Sequence, residues 1–442
     1  MLCSAFVFCN PYESNISNNS TYSQPLRILI DIDYGSRIKS PKVEEAIKTY
    51  KVVDDKRYSL NGWIKEIGGP HEIEFDFLPT NGTEREIALT KLRTELMAGK
   101  GPDVFVCLSE PSFVVDNYTT TVNGMLNGSW EYPVFNYPQQ AIARNMFLNL
   151  EPYKKNFHYT HWDKLTSVIL EAGKYRGEQY VVPMSYTLPI TLFKKQNIQH
   201  IHSIDMTWDN MIDETIELRI AAVANSSVHS GNAFFPLVKE NEDELTFSEE
   251  ELFDFIKKKR SVDEKLSMMD NLPLYYTCLL GVGYDIDESF FSLDEQLYSM
   301  IPIYSTRGGY GANITCFTAI NANTEHIEDA VFMLDYFLSE EFQRSELFSH
   351  ITLGNSVPIL EGLMQENTSC VGHDNEQWFM LSENYEEFCN LRDKIAYAEF
   401  STPLELDIRQ LYSDSKTCND DETLRSMVHK TYIQMNMKLA ES

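Results

Sequence analysis

The sequence predicts an α/β fold, and three observations predict it. From Arg85 to Leu108 an amphipathic helix, a Gly99-Lys100-Gly101-Pro102 stop and a wholly apolar strand follow one another. Strand-like and helix-like segments alternate from Leu26 up to that strand. Much later, from Glu325, a second helix carries Ile327, Ala330, Val331, Leu334, Phe337 and Leu338 on one face at a period of 3.6 residues. Alternating strands and helices build a sheet flanked by helices, and right-handed crossovers make it doubly wound.

Leu26 to Asp33 reads as the first strand. Val43, Ala46 and Ile47, then Leu60, Trp63, Ile64 and Ile67, support helical segments that Gly68-Gly69-Pro70 breaks. Glu72 to Leu78 alternates apolar and polar residues, the pattern of a strand. Thr83 and Glu86 have the spacing of a capping box for the helix that follows, in which Ala88, Leu89, Leu92 and Leu96 share a face. Asp103 to Leu108 has no polar residue after its first, as suits a strand covered on both faces. In such sheets ligands bind beyond the carboxyl ends of the strands. Those ends are Asp33-Tyr34-Gly35, Pro79-Thr80-Asn81 and Ser109-Glu110, so Tyr34, Asn81 and Glu110 are candidates for ligand contact, each set against plain loop packing. Gly124 to Tyr137, with Trp130, reads as an irregular aromatic loop in which Trp130 is either a stacking platform or an anchor. Val181 to Phe193 is an extended apolar run interrupted by Pro183 and Pro189. The helix from Glu325 is expected to return to the first sheet, which makes the architecture discontinuous in sequence.

The 442 residues suffice for two or three cores. With 37 basic and 66 acidic residues the net charge is -29, which repels phosphate backbones and argues against a nucleic-acid partner. Eight cysteines are scattered without Cys-x-x-Cys; Cys107 and Cys316 lie in apolar runs, and a disulfide among Cys370, Cys389 and Cys418 is open. Met1 to Cys9 is apolar but too short to span a membrane, and residues 10 to 25, rich in Asn and Ser, read as a tether. There is no phosphate-binding Gly-x-x-x-x-Gly-Lys motif, no His-Glu-x-x-His and no Gly-x-Ser-x-Gly elbow. A pair of carboxylates about 5 to 9 Å apart would serve a glycosidase, but among 66 acidic residues such pairs arise by chance.

Lys91 to Val106 contains Ala98-Gly99-Lys100-Gly101-Pro102-Asp103, and in order along the chain follow Gly173-Lys174, Tyr180-Val181-Val182-Pro183, Thr207-Trp208-Asp209, Ile301-Pro302 and Ala319-Ile320. These segments resemble the extracellular solute-binding proteins that feed ABC importers with sugars. The resemblance covers about residues 26 to 345 and implies a two-lobed periplasmic-binding-protein-like type II fold with a hinge and an interlobe cleft. It implies residues 1–25 as a signal remnant or tether, 26–185 plus 311–350 as one lobe, and 186–310 plus 351–442 as the other. It places Tyr186 and Thr187 where relatives contact ligand, and gives Trp208 a structural role at a helix start. Arg307 and Tyr310, in Arg307-Gly308-Gly309-Tyr310-Gly311, face either the cleft or the surface. Phe193-Lys194-Lys195 departs from the usual Tyr-Asn-Lys and puts a standard sugar pose in doubt. The function implied is capture of a neutral carbohydrate by a monomeric, non-enzymatic, cofactor-free protein, extracellular and tethered as a lipoprotein, that delivers to ABC permease subunits. A secreted carbohydrate-active enzyme and an extracellular ligand sensor are the alternatives.

Overall fold

In this computed structural model of the protein, the residues described are 24–31, 40–79, 82–109, 112–115, 121–122, 125–126, 128–131, 133–194, 205–228, 230–239, 243–280, 298–352, 356–361, 363, 369–371, 377–379 and 382–441. Strand β1 (Leu26–Asp31) precedes the helix Ser40–Lys48, a hairpin of β2 (Lys51–Val53) and β3 (Lys56–Tyr58), the helix Leu60–Glu66, β4 (Ile73–Phe77), the helix Gly82–Met97 and β5 (Val104–Leu108). β1 runs parallel to β4 on one side and to β5 on the other, the order expected of a doubly wound unit. The unbroken apolar run of β5 is buried throughout, because helices cover its sheet.

Three expectations change here. The helix already runs from Gly82, so Thr83 lies in its first turn rather than at its cap. Its inward face is Arg85, Leu89, Leu92 and Leu96, with Ala88 only half-buried; the arginine belongs there because Asp31, at the end of β1, needs a cation once buried. The expected aromatic loop is partly regular: β6 (Ser112–Val115) pairs with β9 (Gly128–Glu131), and β7 (Thr121–Val122) with β8 (Met125–Leu126).

After a hairpin of β10 (Lys174–Tyr175) and β11 (Glu178–Gln179), β12 runs unbroken from Val181 to Lys194. Its prolines survive because register shifts flank Ser185 just after Pro183, and because Pro189 still offers its carbonyl, which accepts from Ile303 N at 3.4 Å. The later strands are β13 (Tyr275–Leu280), β14 (Tyr298–Pro302), β15 (Gly311–Ile320), β16 (Val357–Pro358), the pair β17 (Ser369–Val371) and β18 (Gln377–Phe379), and β19 (Tyr397–Phe400). The main sheet reads β13-β12-β15-β5-β1-β4, with β14 and β16 also on β12 and β19 on β15.

The two long strands change partners midway. β12 pairs with β15 from Val181 to Thr187, then with β13 and β14 from Leu188 to Lys194. β15 pairs in parallel with β19 from Gly311 to Ile314, then antiparallel with β5 from Cys316 to Ile320. The helix Ile327–Phe337 packs on β15 and β5. Its buried Asp335 accepts from the backbone N–H groups of His158 (2.6 Å), Tyr159 (3.0 Å) and Thr160 (2.7 Å), anchoring that loop to the first half of the molecule. The helices Glu249–Ser267, Pro403–Ser415 and Asp421–Glu441 pack together in the other half. The first of these starts at a full capping box, Ser248 with Glu251. Cys389 and Cys418 are free, so they do not form the disulfide left open from the sequence; the side chain of Cys370 lies outside the described residues.

Candidate functional site

β1, β4 and β5 end side by side, and the loops that follow carry three of the sequence candidates. Tyr34, Asn81 and Glu110 lie outside the described residues. Trp130 sits in β9 opposite Phe113, and its side chain is likewise outside them. What is described at this edge is a closed ion pair. Arg85 donates from both terminal nitrogens to the two Asp31 oxygens at 2.8 Å, and Val134 N donates to Asp31 Oδ2 at 3.2 Å. Both side chains are buried. Their charges offset one another, so this edge presents no uncompensated ion from them.

Tyr186 and Thr187 stand where β12 hands over from β15 to β13. Tyr186 lies opposite Ile314 and Val357, and its ring is fully buried. Burial pushes its phenol above the ordinary tyrosine range, with Arg392 acting in the opposite direction. Thr187 lies opposite Asn313 of β15, and Asn313 lies opposite Glu399 of β19. Residues opposite one another project to the same face, so three strands line up Thr187, Asn313 and Glu399 in one buried polar row. Asn232 joins it, donating from Nδ2 to Asn313 Oδ1 at 3.1 Å. Thr187 Oγ1 and Asn232 Oδ1 have no hydrogen-bond partner among the described residues. Glu399 accepts from Leu237 N at 2.9 Å, yet its burial pushes the carboxyl up to about 8. The row is a hydroxyl, two amides and a carboxyl whose burial favours its neutral form, a set of donors and acceptors.

Sequence reasoning missed Asn232, Asn313 and Glu399. The available signal was Asn313 itself, an amide within the otherwise apolar start Gly311-Ala312-Asn313-Ile314. The row depends on register between strands remote in sequence, which periodicity does not reveal.

Arg307 and Tyr310 have structural partners. Arg307 Nη1 donates to Phe234 O (3.3 Å) and Thr246 Oγ1 (3.2 Å), Nη2 donates to Thr246 O, and Glu251 lies 3.7 Å away. Tyr310 is fully buried against Tyr304 with ring centroids 5.3 Å apart, and its hydroxyl donates to Leu391 O at 2.6 Å. Gly308 and Gly309 hold positive φ between them, as this tight turn requires. Trp208 follows Thr207, which caps its helix by accepting from Asn210 N at 3.1 Å; the indole is buried and donates to Ala222 O at 3.2 Å.

Among the described residues no helix is long and apolar enough to cross a membrane, and no group of three His, Cys, Asp or Glu side chains is placed to hold a metal. No family model matches the sequence, and no curated protein matches it. Solved structures do. The chain is similar to an extracellular solute-binding protein family 1 member from Alicyclobacillus acidocaldarius, with TM-score 0.54 and 11% identity over 95% of this chain and 100% of that one. It is similar to the sugar-binding protein MalE from Xanthomonas citri, with TM-score 0.54 and 10% identity over 95% and 98%. A periplasmic oligogalacturonide binding protein from Yersinia enterocolitica matches with TM-score 0.53 and 13% identity over 95% and 99%. At such identities the likeness is one of fold: the chain has the two-lobed α/β fold of extracellular solute-binding proteins.

Proposed function

We propose that this protein captures a neutral carbohydrate between its two lobes and delivers it to the permease subunits of an ABC importer, acting outside the cell as a tethered, monomeric binding protein without catalysis. The observation that carries the reading is the pair of strands, β12 and β15, that exchange partners beside a buried row of neutral polar groups, within a fold shared with solved sugar binders. Two lobes joined by extended strands close around a ligand by hinge motion and change their outer face as they do so. A sugar supplies apolar C–H faces for aromatic rings and hydroxyls for paired donors and acceptors. A neutral ligand is favoured because Arg85 and Arg307 are each held by carboxylate or carbonyl oxygens.

In this reading Tyr34, Asn81, Glu110 and Trp130 contribute from one lobe. Thr187 and Tyr186 border the hinge, where Tyr186 packs and Thr187 belongs to the polar row. Arg307 and Tyr310 support the second lobe from behind. The division into 26–185 plus 311–350 and 186–310 plus 351–442 belongs to the same proposal, with β15 itself crossing between the two.

A thermal-shift panel of mono- and oligosaccharides tests it. A ligand that binds only the folded state adds about 2.7 kcal/mol at a concentration 100 times its Kd, so one sugar class should raise the midpoint steeply with concentration. No shift across neutral sugars, with a shift for phosphorylated or peptide ligands instead, would overturn the carbohydrate assignment. Release of cleaved sugar by the purified protein would identify an enzyme.

A further inference from the structure

At the handover point of both long strands three buried hydroxyls form a chain. Ser185 of β12 sits between the two register shifts; Thr315 of β15 sits between Ile314, paired to β19, and Cys316, paired to β5. Ser356 directly precedes β16, which pairs with β12 at Ser185 and Tyr186. Ser185 Oγ lies 2.8 Å from Thr315 Oγ1, Thr315 Oγ1 lies 2.8 Å from Ser356 Oγ, and Ser356 Oγ lies 2.9 Å from Thr352 O. All three side chains are buried.

The direction of the chain follows from counting protons. A carbonyl only accepts, so Ser356 donates to Thr352 O and must accept from Thr315. Thr315 has one proton, already directed to Ser356, and therefore accepts from Ser185. The result is a one-way series, Ser185 to Thr315 to Ser356 to the carbonyl at the end of the helix Glu346–Ile351. Such series strengthen cooperatively in a low-dielectric interior. The backbone adds to it: Ser109 N donates to Thr315 O at 3.0 Å, the Ser109 hydroxyl donates to Ile314 O, and Ile359 N donates to Met184 O at 3.0 Å.

We infer that the Ser185–Thr315–Ser356 hydroxyl series is a latch that fixes both crossing strands to one another and to the end of the helix Glu346–Ile351 and confines interlobe bending to the stretch beyond it, so that these residues set the population of open and closed arrangements without touching ligand. Its importance for binding rests on the function proposed above; its existence does not. Rotation about the crossing strands would separate groups that lie on three different segments, and each separated hydroxyl would be left buried and unpaired. Thr187 and Asn313, each two residues from the latch residue of its strand, lack this bracing and belong to the incompletely satisfied polar row.

Hydrogen–deuterium exchange on the ligand-free full chain tests the inference independently of any sugar. Thr315→Val keeps the shape of the side chain and removes its hydroxyl. It should accelerate exchange of the Ser109 and Ile359 amides roughly five- to tenfold, the factor carried by one buried hydrogen bond. The Asp103 amide, bonded to Arg27 O inside the first lobe, should be unaffected. Small-angle scattering should show a broader interlobe distance distribution, and Thr315→Ser should restore both measurements. Equal acceleration at Asp103, unchanged exchange at Ser109 and Ile359, or a Thr315→Ser protein indistinguishable from Thr315→Val would each overturn the latch. If Thr315→Val does not fold, Ser356→Ala removes the last hydroxyl, with both its donation to Thr352 O and its acceptance from Thr315, and is judged by the same exchange criteria.

Discussion

Tyr186 shows how burial decides between two roles for one ring. It has no exposed surface, so truncation to alanine opens a sealed volume rather than widening a wet cleft. Tyr186→Ala is expected to lower ligand-free stability by about 3 kcal/mol or more, measured by chemical denaturation; a stability close to that of the parent protein would return the ring to a ligand-stacking role. Glu399 makes a second residue-level prediction. In the unfolded chain its carboxyl titrates near its ordinary 4.5, whereas burial in the folded protein raises it to about 8. Between those values the folded state holds the proton that the unfolded state has lost, so this group makes stability fall as pH rises, with no further effect below or above the interval. Glu399→Gln removes that slope. The melting midpoint of the variant relative to the parent should climb from pH 4.5 towards pH 8, and a constant difference would show that Glu399 does not titrate there.

At the level of elements, Gly173 shows why a short motif resists change. Its carbonyl accepts from Tyr180 N at 3.1 Å and Val181 N at 3.2 Å, docking the turn on the start of β12. A Cβ at Gly173 would lie 1.8 Å from Val181 O. Gly173→Ala should therefore cost about 3 kcal/mol, the upper range for overpacking against a backbone atom that cannot swing aside, with urea unfolding as the check. The first sheet was legible in the sequence because buried parallel strands leave unbroken apolar runs and amphipathic helices leave a period of 3.6. The hairpins between Ser112 and Glu131 were not, since two- to four-residue strands carry no periodicity. β12 was legible as an extended segment but not as a continuous strand, because the bulge that accommodates Pro183 depends on β15, far away in sequence. The candidate site was legible at strand ends and illegible where partners are tertiary: Arg85 facing inwards, Arg307 clasping Thr246, and the row from Thr187 to Glu399.

Over the whole molecule, the net charge of -29 makes self-repulsion a general cost of compactness. Salt near physiological strength screens exposed charges beyond about 8 Å, so the melting midpoint should rise when low-salt buffer is brought to that strength. A fall would mean that surface ion pairs such as Arg425 with Glu250 outweigh the net repulsion. The long pairing between Leu108 of β5 and Cys316 of β15 bears on how the protein comes into being. Synthesis is vectorial, and while the ribosome is still short of Gly311 one side of β5 has no partner. A nascent first lobe would expose a bare, apolar sheet edge of the kind that recruits other chains. The first lobe can close only after the intervening segment has been made, so this edge needs shielding from the synthesis of Leu108 until that of Cys316, and the sheet assembles late.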